Sequence, residues 1–139
     1  MKNKKKVLVG ILMGSKSDSE TMLETEKVLK DLGITYEVNV LSAHRNPDGV
    51  REYAKSAKKR GLKVLICGAG MSAALAGVVS SHTSLPVIGV PMATKDLGGM
   101  DSLLSTVQMP SGVPVASMAI GKAGAKNAAY FAKRILDAN

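Results

Sequence analysis

A chain of 139 residues that is 45% hydrophobic is long enough to bury the core of one domain and is short for two. Its one cysteine excludes an intramolecular disulfide and a paired-cysteine metal site. Its net charge of +8 admits an anionic ligand, but three tyrosines, one phenylalanine and no tryptophan are too few for the stacking surfaces of proteins that bind single-stranded nucleic acid.

The N-terminal region combines a basic segment, residues 1–6, with a short apolar run, residues 7–13. This order imitates a signal peptide, but the run leads directly into polar residues 14–18 without a small-residue cleavage site. No run approaches the roughly 20 apolar residues of a membrane span. We therefore expect a cytoplasmic protein without membrane or nucleic-acid partners, folded as a single domain over residues 1–139 with a flexible basic N-terminus at residues 1–5.

Apolar runs of strand length alternate with segments of helical periodicity along the chain. Five strands without polar alternation are predicted, at residues 7–13, 35–41, 64–67, 86–90 and 115–120. The predicted helices run from Ser17 to Gly33, from Asn46 to Gly61, and over residues 72–80, 102–108 and 125–136. This alternation predicts an α/β fold, a three-layer α/β/α sandwich with a doubly wound parallel sheet of the flavodoxin-like kind.

Local signals mark several helix ends. Ser17 and Glu20 have the spacing of a capping box, and Asn46 followed by Pro47 is typical of a capped helix start. Apolar residues at helical spacing predict the buried face of the last helix, which comprises Ala128, Phe131, Ala132 and Ile135.

Ligands of such sheets bind outside the carboxyl ends of the strands, so the segments that follow the strands are the candidate site. All are rich in small residues: 14–18, 42–47, 68–74, 91–102 and 121–127. The first, which includes Gly14, Ser15 and Asp18, offers backbone N–H groups at a helix start, where a phosphate binds favourably. It matches neither a Walker loop nor a dinucleotide fingerprint. Asp18 repels phosphate but accepts ribose hydroxyls, so we expect a phosphoribosyl group, or a purely structural helix cap.

His44 is the one histidine at a predicted strand end, and imidazole suits proton transfer near neutral pH. Arg45 beside it suits a phosphate. Met71 lies in a glycine-rich segment and is expected to line the pocket. By contrast, Cys67 lies inside an apolar strand and His82 follows a helix without polar context, so both are interpreted as structural.

These segments closely resemble the family of N5-carboxyaminoimidazole ribonucleotide mutases and aminoimidazole ribonucleotide carboxylases over nearly the whole chain. The matching stretches are residues 13–18, 42–45, 85–91, 101–105, 107–110 and 119–125. The resemblance implies a homo-octamer with active sites at subunit contacts, a ribonucleotide and CO2 as reactants, and no metal or organic cofactor.

The resemblance also implies roles for individual residues. His44 matches the catalytic histidine, and Ser15, Asp18 and Arg45 match substrate-binding positions. Ser42 and Ala43 would shape the carboxylate end of the pocket. Gly14, Gly70, Met71 and Ser72 are expected to complete the substrate-binding loops. In the implied reaction the exocyclic amine loses CO2, ring carbon four attacks the captive CO2, and one imidazole first donates a proton and then accepts the one that leaves carbon four.

Three features depart from the mutase pattern. The third segment has Ala74 and Ala76 where mutases have histidine and proline, Met71 replaces a glycine, and the family's extra C-terminal helix is absent from this sequence. The lack of the histidine is shared with the branch that carboxylates with free CO2. Arg45, where that branch has lysine, and residues 107–110 favour the mutase.

Mutase activity is thus the first hypothesis and direct carboxylation the rival. A carboxylase of another heterocyclic nucleotide is a third possibility, suggested by Met71. A non-enzymatic flavodoxin-like carrier or receiver module is a fourth, which the lack of aromatic residues and of clustered carboxylates in these segments disfavours.

Overall fold

The computed structural model describes residues 6–138, and the predicted flexible segment 1–5 lies outside the described residues. The described part contains a five-stranded parallel sheet in the order β2-β1-β3-β4-β5. The strands are β1 Val9–Met13, β2 Tyr36–Val40, β3 Val64–Ala69, β4 Val87–Pro91 and β5 Ala116–Ser117. The helices are α1 Ser19–Asp31, α2 Pro47–Ala57, α3 Leu75–Ser81, α4 Met100–Val107 and α5 Lys122–Asp137.

An apolar cluster covers each face of the sheet, which explains the continuous apolar runs of the central strands. Val64 and Ile66 of β3 pack on the side of α1 and α5, whereas Leu65 and Cys67 pack on the side of α2 and α3. A parallel strand covered on both faces has no polar side. The predicted three-layer α/β/α arrangement is therefore confirmed.

The edge strand β2 corrects one prediction, because it does alternate. Val38 and Val40 are 38% and 48% exposed, while Glu37 and Asn39, the residues directly before each of them, are partly buried. As the outermost strand, β2 is paired to β1 alone and is not covered on both faces. Glu37 is held there by the Tyr53 hydroxyl at 2.6 Å and the Arg60 guanidinium at 3.1 Å.

The start of α1 was predicted wrongly. The Ser17–Glu20 capping box does not form, because residues Lys16–Asp18 make a separate 3₁₀ turn and α1 begins at Ser19. The hydroxyl of Ser15 caps this turn by accepting the Ser17 N–H at 3.3 Å. The predicted start of α2 is confirmed, since the Asn46 side chain accepts the Gly49 N–H at 3.0 Å and Pro47 is the first helical residue.

The buried face of α5 was predicted only in part. Ala128 and Ala132 are fully buried, but Phe131 is 39% exposed. The helix packs closely through a stripe of small residues, Ala125, Ala128, Ala129 and Ala132. Residue 131 lies about 60° beyond Ala128 at the edge of that stripe, since successive residues are rotated by about 100°. Strand β5 is also shorter than predicted, because only two of its residues pair with β4.

Candidate functional site

A cavity of about 600 Å³ opens where the loops that follow β1, β2, β3 and β4 meet. All ten residues predicted for the site line it: Gly14, Ser15, Asp18, Ser42, Ala43, His44, Arg45, Gly70, Met71 and Ser72. The loop after β5, residues 121–127, does not contribute to the lining. Of the five candidate segments, four are therefore brought together.

The first loop presents hydroxyls and one carboxylate to the cavity. Its start is fixed by a bond of 3.1 Å from the Gly14 N–H to the Gly68 carbonyl. The Ser17 hydroxyl donates to the Ser15 hydroxyl at 3.0 Å, which keeps both side chains at the 3₁₀ turn. Asp18 is partly buried, and burial raises the pKa of its carboxyl group above 3.8, while a hydrogen bond from the Ser15 backbone lowers it by less.

The second loop is a tight turn that displays His44 and Arg45. The Ser42 carbonyl accepts the Asn46 N–H at 2.8 Å, and the Ser42 hydroxyl accepts the Arg45 N–H at 3.1 Å. Both displayed side chains are exposed, and Arg45 forms no ion pair with any described residue. A cation and an imidazole are thus directed from a fixed backbone to the same cavity, where a ligand can reach them.

The third loop supplies most of the apolar wall. Ala69, Ala74 and Leu75 line the cavity together with Gly70 and Met71. Ala74 places a methyl group in this wall. The wall is therefore built from small or apolar side chains without a titrating group.

The fourth loop contributes four lining residues that sequence reasoning did not single out, namely Met92, Ala93, Thr94 and Lys95. Thr94 fixes this loop, since its hydroxyl donates to the Asp101 carboxylate at 2.6 Å and accepts the Gly99 N–H at 2.8 Å. Lys95 brings a second cation to the lining. The position of this segment after β4 marked it as part of the rim, but no local motif identified its individual side chains.

The two residues interpreted as structural lie away from the lining. His82 caps the carboxyl end of α3, and Cys67 is buried within β3, where burial raises the pKa of its thiol. Within residues 6–138 no cluster of three or more metal-ligating side chains is found. No helix in the same range combines the length and apolar character of a membrane span.

The cavity lining has a polar part and an apolar part. Hydroxyls, the Asp18 carboxylate and the cations Arg45 and Lys95 suit a ligand that carries both phosphate and sugar hydroxyl groups. The alanines, Leu75 and Met92 suit an uncharged, apolar group. His44 lines the same cavity and can transfer a proton to a ligand there.

Comparisons with known proteins identify the family and support the fold. A family model described as AIR carboxylase matches residues 8–139. An N5-carboxyaminoimidazole ribonucleotide mutase of Saccharolobus solfataricus is 60% identical over 92% of this chain and 80% of its own. The protein of the same name from Bacillus subtilis is 58% identical over 94% of this chain and 81% of its own. The crystal structure of Treponema denticola PurE superposes with a TM-score of 0.83 at 34% identity, covering 94% of this chain and 80% of that one.

The raised pKa of Asp18 predicts that Asp18→Asn stabilises the protein without ligand. A carboxyl group with a higher pKa in the folded state lowers stability once it is charged, and this penalty disappears as the pH falls below 3.8. We expect the melting temperature of Asp18→Asn to exceed that of the wild type at pH 7 and the difference to narrow towards pH 4, as measured by circular dichroism. Asp96→Asn, which alters an exposed carboxylate, is the control and should change little. A lower melting temperature for Asp18→Asn at pH 7 would contradict the assignment.

Proposed function

This chain belongs to the AIR carboxylase family, and from that premise we propose that it interconverts N5-carboxyaminoimidazole ribonucleotide and 4-carboxy-5-aminoimidazole ribonucleotide. It is an enzyme of purine biosynthesis and, by the chemistry of the reaction, an isomerase. One observation carries the proposal: a chain that is 60% identical to a named mutase brings His44, a cation, hydroxyls and a carboxylate to a single cavity.

We propose that the first two loops bind the phosphoribosyl group. The hydroxyl of Ser15 and the guanidinium of Arg45 provide hydrogen bonds for phosphate oxygens, and the Asp18 carboxylate accepts from ribose hydroxyls. Gly14, Ser42 and Ala43 are small enough to leave room for the ligand. The further residues that we assign to substrate binding are Gly70, Met71 and Ser72 of the third loop.

His44 is proposed to donate one proton and then to accept another. Its protonated imidazole gives a proton to the exocyclic nitrogen, the bond from this nitrogen to the carboxyl carbon breaks, and CO2 forms. The remaining aminoimidazole is an enamine, so ring carbon four attacks CO2 and forms the new carbon–carbon bond. The proton on carbon four then passes to the neutral His44 and restores its protonated form. Atoms and charge balance, and these reaction steps require neither a cofactor nor a metal.

The two half-reactions require CO2 to stay beside the ring. CO2 is uncharged, so polar side chains do not hold it strongly, and its retention depends on exclusion of water and on confinement. The apolar lining from Ala69, Leu75 and Met92 supports placing CO2 at that wall.

Direct carboxylation of aminoimidazole ribonucleotide by free CO2 is the second candidate, and one observation favours it. Ala74 lines the cavity at a position where the mutase pattern has histidine. The names and the identities of the curated relatives favour the mutase.

The two candidates are separated by their substrates. We expect the purified protein to form product faster from the carbamate than from aminoimidazole ribonucleotide with abundant CO2, when initial rates are compared at equal nucleotide concentration. Equal or faster product formation from free CO2 would support the carboxylase function in place of the mutase function. No product from either substrate would refute both functions.

We also propose that the protein acts as a homo-octamer in the cytoplasm. Support for assembly comes from apolar side chains on the outer face of α4, where Met100, Leu104 and Val107 are 53%, 51% and 42% exposed. An exposed apolar stripe of this kind is typical of a protein–protein contact.

His44→Asn is expected to lower kcat by at least about 100-fold while nucleotide affinity changes little, because the amide keeps a similar size and loses proton transfer. The affinity is measured by calorimetry with aminoimidazole ribonucleotide. His82→Asn, which alters the histidine outside the cavity, is the matched control and should retain activity. Full activity of His44→Asn would exclude the proposed role.

Arg45→Ala is expected to raise KM by about tenfold or more with a smaller effect on kcat, since a charge-assisted hydrogen bond to the ligand is lost. Arg51→Ala removes an equally basic side chain from the same region. Arg51 pairs with Asp48 at 3.9 Å outside the cavity, so its KM should not change. Steady-state kinetics of both variants test this, and an unaltered KM for Arg45→Ala would contradict a contact with phosphate.

A further inference from the structure

The backbone of Met71 adopts an unusual conformation for its residue type. Its φ angle is +59°, and within the described residues every other positive φ belongs to a glycine. Residues with a Cβ atom are disfavoured in this left-handed region, so surrounding contacts must hold the Met71 backbone there.

Helix α4 provides such a contact. The Met71 N–H donates to the hydroxyl of Ser102 at 3.0 Å, and Ser102 is completely buried. The Ser105 hydroxyl, one turn further along α4, lies 3.5 Å from the Met71 carbonyl oxygen. The left-handed backbone at Met71 is thus fixed from α4, 31 residues away in the sequence.

The side chain of Met71 belongs to the cavity and not to the core. Met71 lines the cavity and is also 68% exposed, so its side chain lies at the edge of the cavity, next to solvent. This exposure excludes the usual interpretation of methionine as core filler. Its neighbours in the loop, Gly70 and Ser72, are too small to cover the opening.

We propose that Met71 is the side chain that retains CO2, a role that rests on the proposed function and refines it. After the carbamate bond breaks, CO2 either forms the new bond to ring carbon four or escapes and reacts with water to give bicarbonate. Escape leaves aminoimidazole ribonucleotide as a dead-end product. An apolar side chain over the opening disfavours escape and the access of water, and the flexible thioether can move aside for the nucleotide.

The proposal is tested by the partition of the labelled carboxyl carbon. The carbamate carries ¹³C in its carboxyl group, and the fractions recovered in product and in bicarbonate are measured by NMR after subtraction of an enzyme-free blank. We expect Met71→Gly to raise the bicarbonate fraction per turnover several-fold. Glycine suits the positive φ, so this variant should fold at least as well as the wild type.

Two further variants separate apolar cover from backbone effects. Met71→Leu keeps an apolar side chain at the same strained φ and should retain a low bicarbonate fraction. Met71→Asn tolerates the left-handed conformation but is polar, and should leak CO2 as Met71→Gly does. A partition that is the same in wild type, Met71→Gly and Met71→Asn would overturn the proposal. If the wild type formed no product from the carbamate, the proposed function itself would have failed.

Ser102 is inferred to be a positioning residue that acts through Met71. Ser102→Ala removes the acceptor of the Met71 N–H and should raise the bicarbonate fraction in the wild-type background. In the Met71→Gly background the same substitution should add little, because the side chain to be positioned is already gone. Equal increases in both backgrounds would refute this role for Ser102, whatever effect the substitution has on stability.

Discussion

Parallel pairing of the strands is the constraint on which the site depends. In the registered pairs Met13 lies beside Gly68, and Gly68 lies beside Val90, so β1, β3 and β4 end at nearly the same level. Bonds from the Gly14 N–H to Gly68 and from the Met92 N–H to Ala69 continue the ladder beyond the strands. Loops separated widely in sequence therefore start side by side, and a cavity forms between them.

Two features of the cavity lower the stability of the folded protein. Asp18 keeps a partly buried carboxylate whose pKa is raised, and Met71 keeps a left-handed backbone that suits glycine better. Neither feature is required by the core, which is formed by apolar residues on both faces of the sheet. Unfavourable local states of this kind are commonly found at functional sites, where the surrounding structure holds them in place.

Helix α4 connects the third and fourth loops. Its first turn carries both Asp101, which accepts from Thr94 of the fourth loop at 2.6 Å, and Ser102, which accepts from Met71 of the third loop at 3.0 Å. The outer face of the same helix exposes Met100 and Leu104. A contact between subunits at this face would hold in place the helix that positions the third and fourth loops. The proposed assembly is in this way linked to the proposed chemistry.

The sequence by itself determined the α/β order of elements, the start of α2 and the position of His44 and Arg45 after β2, because each follows from signals within a few residues. Periodicity, Asn46 with Pro47, and polar residues after an apolar run are local properties.

Tertiary structure decided the rest. It made β2 a half-exposed edge, left Phe131 outside a stripe of alanines, and added Lys95 to the cavity. It also replaced the Ser17 capping box with a 3₁₀ turn and fixed Met71 through a serine on another helix. These outcomes depend on which elements are neighbours in space, and contacts between elements that are distant in the chain have no local sequence signal.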